Sequence, residues 1–266
     1  MVTPEIYYGF KCRPFDKNIA ADKMFLSNAL KELCGRLEYM KHHRGIILIT
    51  GQSGTGKTTG LRCFTESLKR DFFEPVYIPL STVNVLDFYR ILNLELGGSP
   101  KNTKSALFKA IQNSIIIKAA NLKKVPVIII DEAHLLISEN FMELQIILNF
   151  NMDSADPALI VISGQSHLKE RLMRSSFISF NQRISLRYEM LPLSKEEVPG
   201  YIQHHLKLAG ARENIFTEIA VEAIYKNTSG VPRQVGELCY KALMLGALEE
   251  KDTITEEEIF QVCCEM

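Results

Sequence analysis

Gly51-Gln52-Ser53-Gly54-Thr55-Gly56-Lys57-Thr58 has the spacing G-x4-G-K-S/T, which suits a loop that wraps a phosphate chain. Glycines there let the backbone curl until successive N–H groups face phosphate oxygens, beside a helix N-terminus that favours anions. Lys57 is expected to bridge the β- and γ-phosphates of ATP, and the Thr58 hydroxyl to ligate Mg2+. Further on, the apolar run Val127-Ile128-Ile129-Ile130 ends in Asp131-Glu132. A strand ending this way would put Asp131 in the magnesium shell and Glu132 beside the attacking water as its base. A plain surface cap is the simpler alternative for Glu132.

Three more positions are candidates for the same chemistry. Leu159–Ser163 is a strand-length run followed by Gly164-Gln165; Gln165 is the first choice, and Ser163 the reserve, for a side chain touching the γ-phosphate or the water. Either also suits an ordinary turn. Arg183, in Asn181-Gln182-Arg183-Ile184, is placed to be an arginine finger offered to a neighbouring subunit's nucleotide. Arg233, in Gly230-Val231-Pro232-Arg233, opens a helix from which it could reach back to the γ-phosphate. A guanidinium fits both roles because it stays charged and binds phosphate bidentately, although lone arginines are usually surface residues.

The elements that must position these residues follow from periodicity. Ile46–Thr50, Val76–Leu80, Val125–Ile130 and Leu159–Ser163 read as strands, with a further short segment at Ser185–Tyr188. Helical patterns lie between them at about 59–70, 83–96, 104–121 and 139–150. That alternation predicts an α/β fold with a mainly parallel five-stranded sheet, right-handed crossovers and helices in three αβα layers. After Leu191-Pro192-Leu193 only helical signals follow. Capping boxes at Ser194/Glu197 and Thr255/Glu258 open the first and last of four helices, with others from Thr217 and Pro232. The expected division is a nucleotide-binding domain over 1–192 and a helical appendage over 193–266.

Composition narrows the class. The chain has 266 residues, 46% of them apolar and 23% charged, which excludes a disordered or low-complexity protein and permits a real core. Its apolar runs are far shorter than the ~20 residues of a membrane span, and no signal peptide opens it, so a soluble, cytoplasmic protein without membrane contact is expected. Six scattered cysteines show no metal-ligand spacing and are expected to be reduced. The zero net charge conceals a polarity: residues 1–130 carry 19 basic against 10 acidic side chains, and residues 131–266 carry 12 against 21. Two solvated faces explain that split as well as a basic surface for a polyanion or head-to-tail stacking of copies does.

Taken in order, the phosphate loop, acidic strand end, polar strand end, Gln-Arg-Ile and Gly-x-Pro-Arg resemble the AAA+ ATPases over nearly the whole chain. Tyr8-Gly9-Phe10 with Pro14-Phe15, Asp131–Leu136, Gly164-Gln165 and Gln182–Ile184 are similar to the ExeA-type group. The resemblance implies ATP and Mg2+, with residues 1–45 contributing to the adenine pocket, 193–266 acting as a helical lid, Thr59 touching the α-phosphate, Gln165 as sensor 1, Arg183 as the finger and Arg233 as sensor 2. Asp131-Glu132-Ala133-His134 also spells the helicase DEAH box, but such helicases need two tandem motor domains. Within the group, the sequence ending at the helical segment favours a stand-alone helper of a DNA transposase, of the IstB, MuB or TniB type, assembling with itself on duplex DNA. A secretion ATPase that energises envelope assembly, or a nucleotide switch with little turnover, are the alternatives. DNA binding of this type tracks the backbone and weakens with salt. Candidate contacts are Lys101, Lys104, Lys109, Lys118, Lys123 and Lys124, each as readily an ordinary solvated lysine; His42, His43 and Arg44 suit packing or capping equally.

Overall fold

Five β-branched runs become strands: β1 (Gly45–Thr50), β2 (Phe73–Ile78), β3 (Val125–Ile130), β4 (Leu159–Gly164) and β5 (Ile184–Glu189). The structure, a computed structural model, describes residues 3–78, 82–211 and 215–264. All pairings are parallel, in the order β2-β3-β4-β1-β5. β1, β3 and β4 are buried along their whole length, as a strand must be when both faces are covered. β2 and β5 form the edges and are more exposed.

The edge accounts for one correction. The strand expected at 76–80 begins at Phe73 and passes through Pro75, which a strand with only one neighbour accommodates because its missing N–H costs one ladder less. Leu80, its expected end, lies outside the described residues. Pro126 is tolerated in the central strand for a related reason: the β3–β4 ladder starts one residue later, at Val127.

Contact between segments divides the described chain into two compact units. One comprises residues 32–53 and 57–190; the other comprises 1–31, 54–56 and 191–266. In the first, α4 (Val85–Glu95), α5 (Lys104–Ile116), α6 (Ser138–Ile147), α7 (His167–Leu172) and α8 (Ile178–Gln182) pack on one face of the sheet. Phe88, Leu92, Ile111, Phe141, Leu168 and Phe180 join Leu48, Ile128 and Ile160 in a single core. The alternate strand residues Ile47, Ile49, Val127, Ile129 and Val161 are equally buried. α2 (Asn28–His43) and α3 (Lys57–Ser67) supply the buried residues Leu33, Leu37, Met40, Leu61 and Phe64. Helix α5 gives way at Ile117–Asn121 to a π-helical turn, where the expected helix to 121 changes pitch.

The second unit holds the short α1 (Pro4–Tyr7) and four longer helices: α9 (Glu197–Ala209), α10 (Glu218–Thr228), α11 (Pro232–Leu248) and α12 (Glu256–Cys264). Half of each expected capping box forms: Glu197 accepts from the Ser194 N–H at 3.0 Å and Glu258 from the Thr255 N–H at 2.7 Å, but α9 begins after Glu196 without a side-chain cap, and the Thr255 hydroxyl accepts from the Glu257 N–H. Gly210, at φ +92, ends α9 in a left-handed turn. Its core joins Val198, Ile202, Ile224, Val235, Leu238 and Leu243 with Phe10 from the N-terminal segment. Among the described residues no helix is long and apolar enough to cross a membrane, and the six cysteines are unbridged.

Candidate functional site

Parallel strands end on one side, so β1, β3 and β4 deliver their following residues to one end of the sheet, its carboxyl edge, opposite the amino edge where the strands begin. β1 runs into the phosphate loop, and α3 begins at Lys57. Gly54 (φ +84) and Gly56 (φ +100) adopt left-handed backbone that only glycine takes without strain, so the loop can curl its N–H groups inward. Lys57 is buried to 6% exposure, and its ammonium donates to the Gly51 and Gln52 carbonyls at 2.8 and 2.9 Å, closing the loop on itself. Thr58 Oγ1 donates to Asp131 Oδ2 at 2.8 Å. Gln52 and Ser53 are exposed, Thr55 is buried, and Thr59 is half-buried. Gly54 groups with the helical unit, where its carbonyl accepts the Arg233 N–H at 3.3 Å. A Cβ on Gly54 would lie 2.9 Å from that of Arg233.

Asp131, directly after β3, is almost fully buried and organises its neighbours. Oδ1 accepts the Glu132 N–H at 2.9 Å, and the Tyr77 hydroxyl from edge strand β2 reaches Oδ2 at 3.4 Å. Burial, then the Asp131 charge, pushes the Tyr77 phenol above its ordinary pKa, so it stays a donor. Glu132 sits at φ +50, left-handed for a non-glycine residue, and its side chain is half-exposed. His134 follows in a 3-10 turn with its side chain buried. Its Nδ1 lies 3.3 Å from Glu132 Oε2, inside ion-pair range but out of line for a hydrogen bond.

β4 separates the two polar candidates that follow it. Ser163 is fully buried, paired in register with Ile49, and its hydroxyl has no hydrogen-bond partner among the described residues. Gln165 lies beyond the strand, half-buried, and its carbonyl accepts the Leu168 N–H that opens α7. A ligand could therefore meet Gln165, whereas Ser163 is closed off in this conformation.

Arg183 lies at the other edge of the sheet. It follows α8 and immediately precedes Ile184, the first residue of β5, which pairs with Ile46 near the start of β1. Nη1 donates to the Gln145 carbonyl at 2.9 Å, and Nη2 lies 2.7 Å from Asp153 Oδ1. A cavity of about 260 Å3 opens beside it, lined by Gly45, Asp153, Asp156, Pro157 and Gln182 among others. The loop that carries Asp153 is sharply wound: Asn151, Met152 and Asp153 all have left-handed φ, and a Phe150–Ala155 bridge closes it.

The proposed nucleic-acid contacts are less uniform than the sequence suggests. Lys104 pairs with Glu143 at 2.5 Å and Lys118 with Glu74 at 2.6 Å, while Lys101, Lys109 and Lys123 are exposed and Lys124 is half-buried. His43 stacks on Tyr39 and bonds its carbonyl at 2.9 Å, and the Arg44 N–H caps α2 through Met40. Sequence reasoning did not single out Tyr77 or Asp153. Each bonds to a residue far away in the chain, and neither belongs to a motif.

The phosphate loop fits an ATP phosphate chain by its inward-curling glycines and helix N-terminus. The Thr58–Asp131 pair fits Mg2+, which is usually held by one or two carboxylates and substrate phosphates rather than a protein cage. No cluster of three or more His, Cys, Asp or Glu side chains occurs among the described residues. General secretion pathway protein A of Aeromonas hydrophila is 28% identical over 241 residues, covering 90% of this chain and 44% of that protein. The chain thus spans less than half the length of that relative. Similar solved structures are Cdc6p of Pyrobaculum aerophilum (TM-score 0.70, 16% identity, 92% of this chain and 68% of that one) and the Aeropyrum pernix ORC1 protein in complex with DNA (0.66, 13%, 96% and 69%). The Thermotoga maritima RuvB Holliday junction branch migration motor is similar at 0.53 and 18%, over 94% of this chain and 71% of that one. At those identities the likeness speaks for the fold. Residues 40–172, half of the sequence, match the AAA domain family, and the chain belongs to that family of P-loop ATPases.

Proposed function

We propose that the protein binds ATP with Mg2+, hydrolyses it, and turns over only when a second copy supplies Arg183. One observation carries this reading: Lys57, Thr58, Asp131 and Glu132 meet at one edge of the sheet, and Arg183 is anchored at the opposite edge. Six residues of strand separate the edges by ~20 Å, beyond the reach of any arginine to its own chain's phosphates.

In the proposed reaction, Lys57 exchanges its loop carbonyls for β- and γ-phosphate oxygens. Thr58 and Asp131 hold Mg2+, which neutralises phosphate charge when bound. Glu132 takes a proton from water, the water oxygen bonds to the γ-phosphorus, and the bond to the β,γ-bridging oxygen breaks to release ADP and phosphate. Gln165 orients that water, Arg233 contacts the γ-phosphate, and Gly51–Gly56 with Thr59 line the phosphate chain. Arg183 of the adjoining copy gives up Asp153 to stabilise the charge that develops.

We further read the output as ATP-dependent assembly on duplex DNA. The basic excess of residues 1–130, and fold relatives described as a DNA complex and a Holliday junction motor, support this. Regulation of a transposase is the narrower version of that reading. A secretion role is the second reading, favoured by the similarity to General secretion pathway protein A. The test is ATPase rate against protein concentration, with and without duplex DNA. The proposal expects the specific rate to rise steeply with concentration and again with DNA. A rate that rises with concentration but ignores DNA selects the secretion reading, and one flat in both rejects assembly-dependent turnover.

A further inference from the structure

We propose that His134 is a positioning residue for Glu132, donating from Nδ1 to its carboxylate and holding that base in the orientation hydrolysis requires. The inference rests on the reading of Glu132 as the base, and it adds a residue that the motif arithmetic leaves without a role.

Three features place His134 there. The left-handed φ of Glu132 folds the chain back so that the residue two positions on lies beside the Glu132 side chain, with 3.3 Å between Nδ1 and Oε2. A non-glycine residue enters that region at a cost and stays only where its surroundings hold it, as they commonly do at functional sites. Second, the two side chains differ in freedom: His134 is 8% exposed and Glu132 49%. The imidazole stands edge-on to the His167 ring at 5.0 Å, and its backbone carbonyl accepts from Arg171 at 3.2 Å. Gly164 packs so closely that a Cβ there would come within 3.2 Å of the His134 backbone nitrogen and 3.5 Å of its Cβ. The histidine is thus a fixed wall, and the glutamate is the member that can turn.

Third, Nδ1 is a buried polar atom with no hydrogen-bond partner among the described residues. Such an atom is costly, and the polar atom within its reach is the carboxylate oxygen. A small rotation of the half-exposed glutamate aligns the pair. Burial pushes the imidazole below its ordinary pKa against the pull of Glu132, so one ring N–H remains to be placed, and the carboxylate selects the tautomer that carries it on Nδ1.

The test is steady-state ATPase at saturating assembly for H134F, H134N, H134Q, E132Q and the E132Q/H134F double variant. Phe fills the space without a donor. Asn places its amide near the site of Nδ1, and Gln places it near Nε2. We expect H134F to lower kcat roughly 10-fold to 100-fold, the worth of a hydrogen bond to a charged group, with KM for ATP within about two-fold of native. H134N should recover most of that loss and H134Q little, and the double variant should be no slower than E132Q. A kcat for H134F within about two-fold of native, equal losses in H134N and H134F, or additive losses in the double variant would overturn the inference. Native turnover by E132Q would instead remove the reading of Glu132 as base, and the inference with it.

Discussion

The two edges of one parallel sheet are built in opposite ways. Where β1 and β3 end, the side chains that would handle ATP are bonded to one another or to their own loop: Lys57 to Gly51 and Gln52, Thr58 to Asp131, Asp131 to Glu132. Where β1 and β5 begin, Arg183 is bonded to Gln145 and Asp153, neither of which belongs to that cluster. Under the proposed function, the first edge is a half-site whose polar groups would exchange these partners for phosphate and Mg2+. The second holds a cation in reserve, neutralised by an acid on an exposed loop. On the proposed reading, a single copy carries both halves of a catalytic centre at opposite ends of its strands and needs a second copy to bring them together.

The sharpest way to break this contrast is Arg183→Ala. It should leave ATP affinity within about two-fold but cut turnover by roughly 10³-fold or more, because a finger guanidinium acts on charge that develops only in the transition state. Turnover by this variant at the native rate would make the second edge irrelevant. Glu132→Gln comes next, with turnover lost by about 100-fold or more and ATP binding kept. The opposite pattern, binding lost with it, would give Glu132 a structural role. Lys57→Ala should weaken ATP binding by about 100-fold in a nucleotide titration, since it removes charge-assisted bonds to two phosphates. The smallest effect sharpens the picture of the second edge. Asp153→Asn releases Arg183 from an ion pair whose acid is 58% exposed. Such pairs are worth about 0.2–1 kcal/mol, so the protein concentration for half-maximal turnover should fall by a factor of roughly 1.4 to 5. A rise instead would mean that Asp153 helps present the arginine rather than restrain it.

The two edges also differ in how far they could be read from residues alone. The phosphate loop and Asp131-Glu132 were legible because their geometry is local: glycine spacing sets the loop, and an apolar run that stops at an acid sets the strand end. The helical segment after Leu193 was legible through capping boxes, which are also local. Pro75 disguises the start of β2, and α2 is a helix beyond those expected from the sequence, although Leu30, Leu33, Leu37 and Met40 recur at helical spacing. The partners of Arg183 were not legible. Asn151, Asp153, Ser154 and Asp156-Pro157 do signal a turn, but Asp153 lies 30 positions from Arg183 and nothing local says which cation the turn meets. Tyr77 reaches Asp131 only because β2 lies beside β3, a pairing fixed by the sheet order.

The most direct test of the central claim is complementation in a mixture. Lys57→Ala protein keeps Arg183 but loses its grip on ATP, and Arg183→Ala protein keeps the grip but lacks the guanidinium. Each alone should be nearly inactive. Mixed at equal concentration with ATP and Mg2+, they should regain a clear fraction of native turnover, since some junctions pair an intact phosphate loop with an intact arginine from the adjoining copy. If the mixture co-assembles yet hydrolyses ATP no faster than its two components measured separately, Arg183 does not act across copies and the account is wrong.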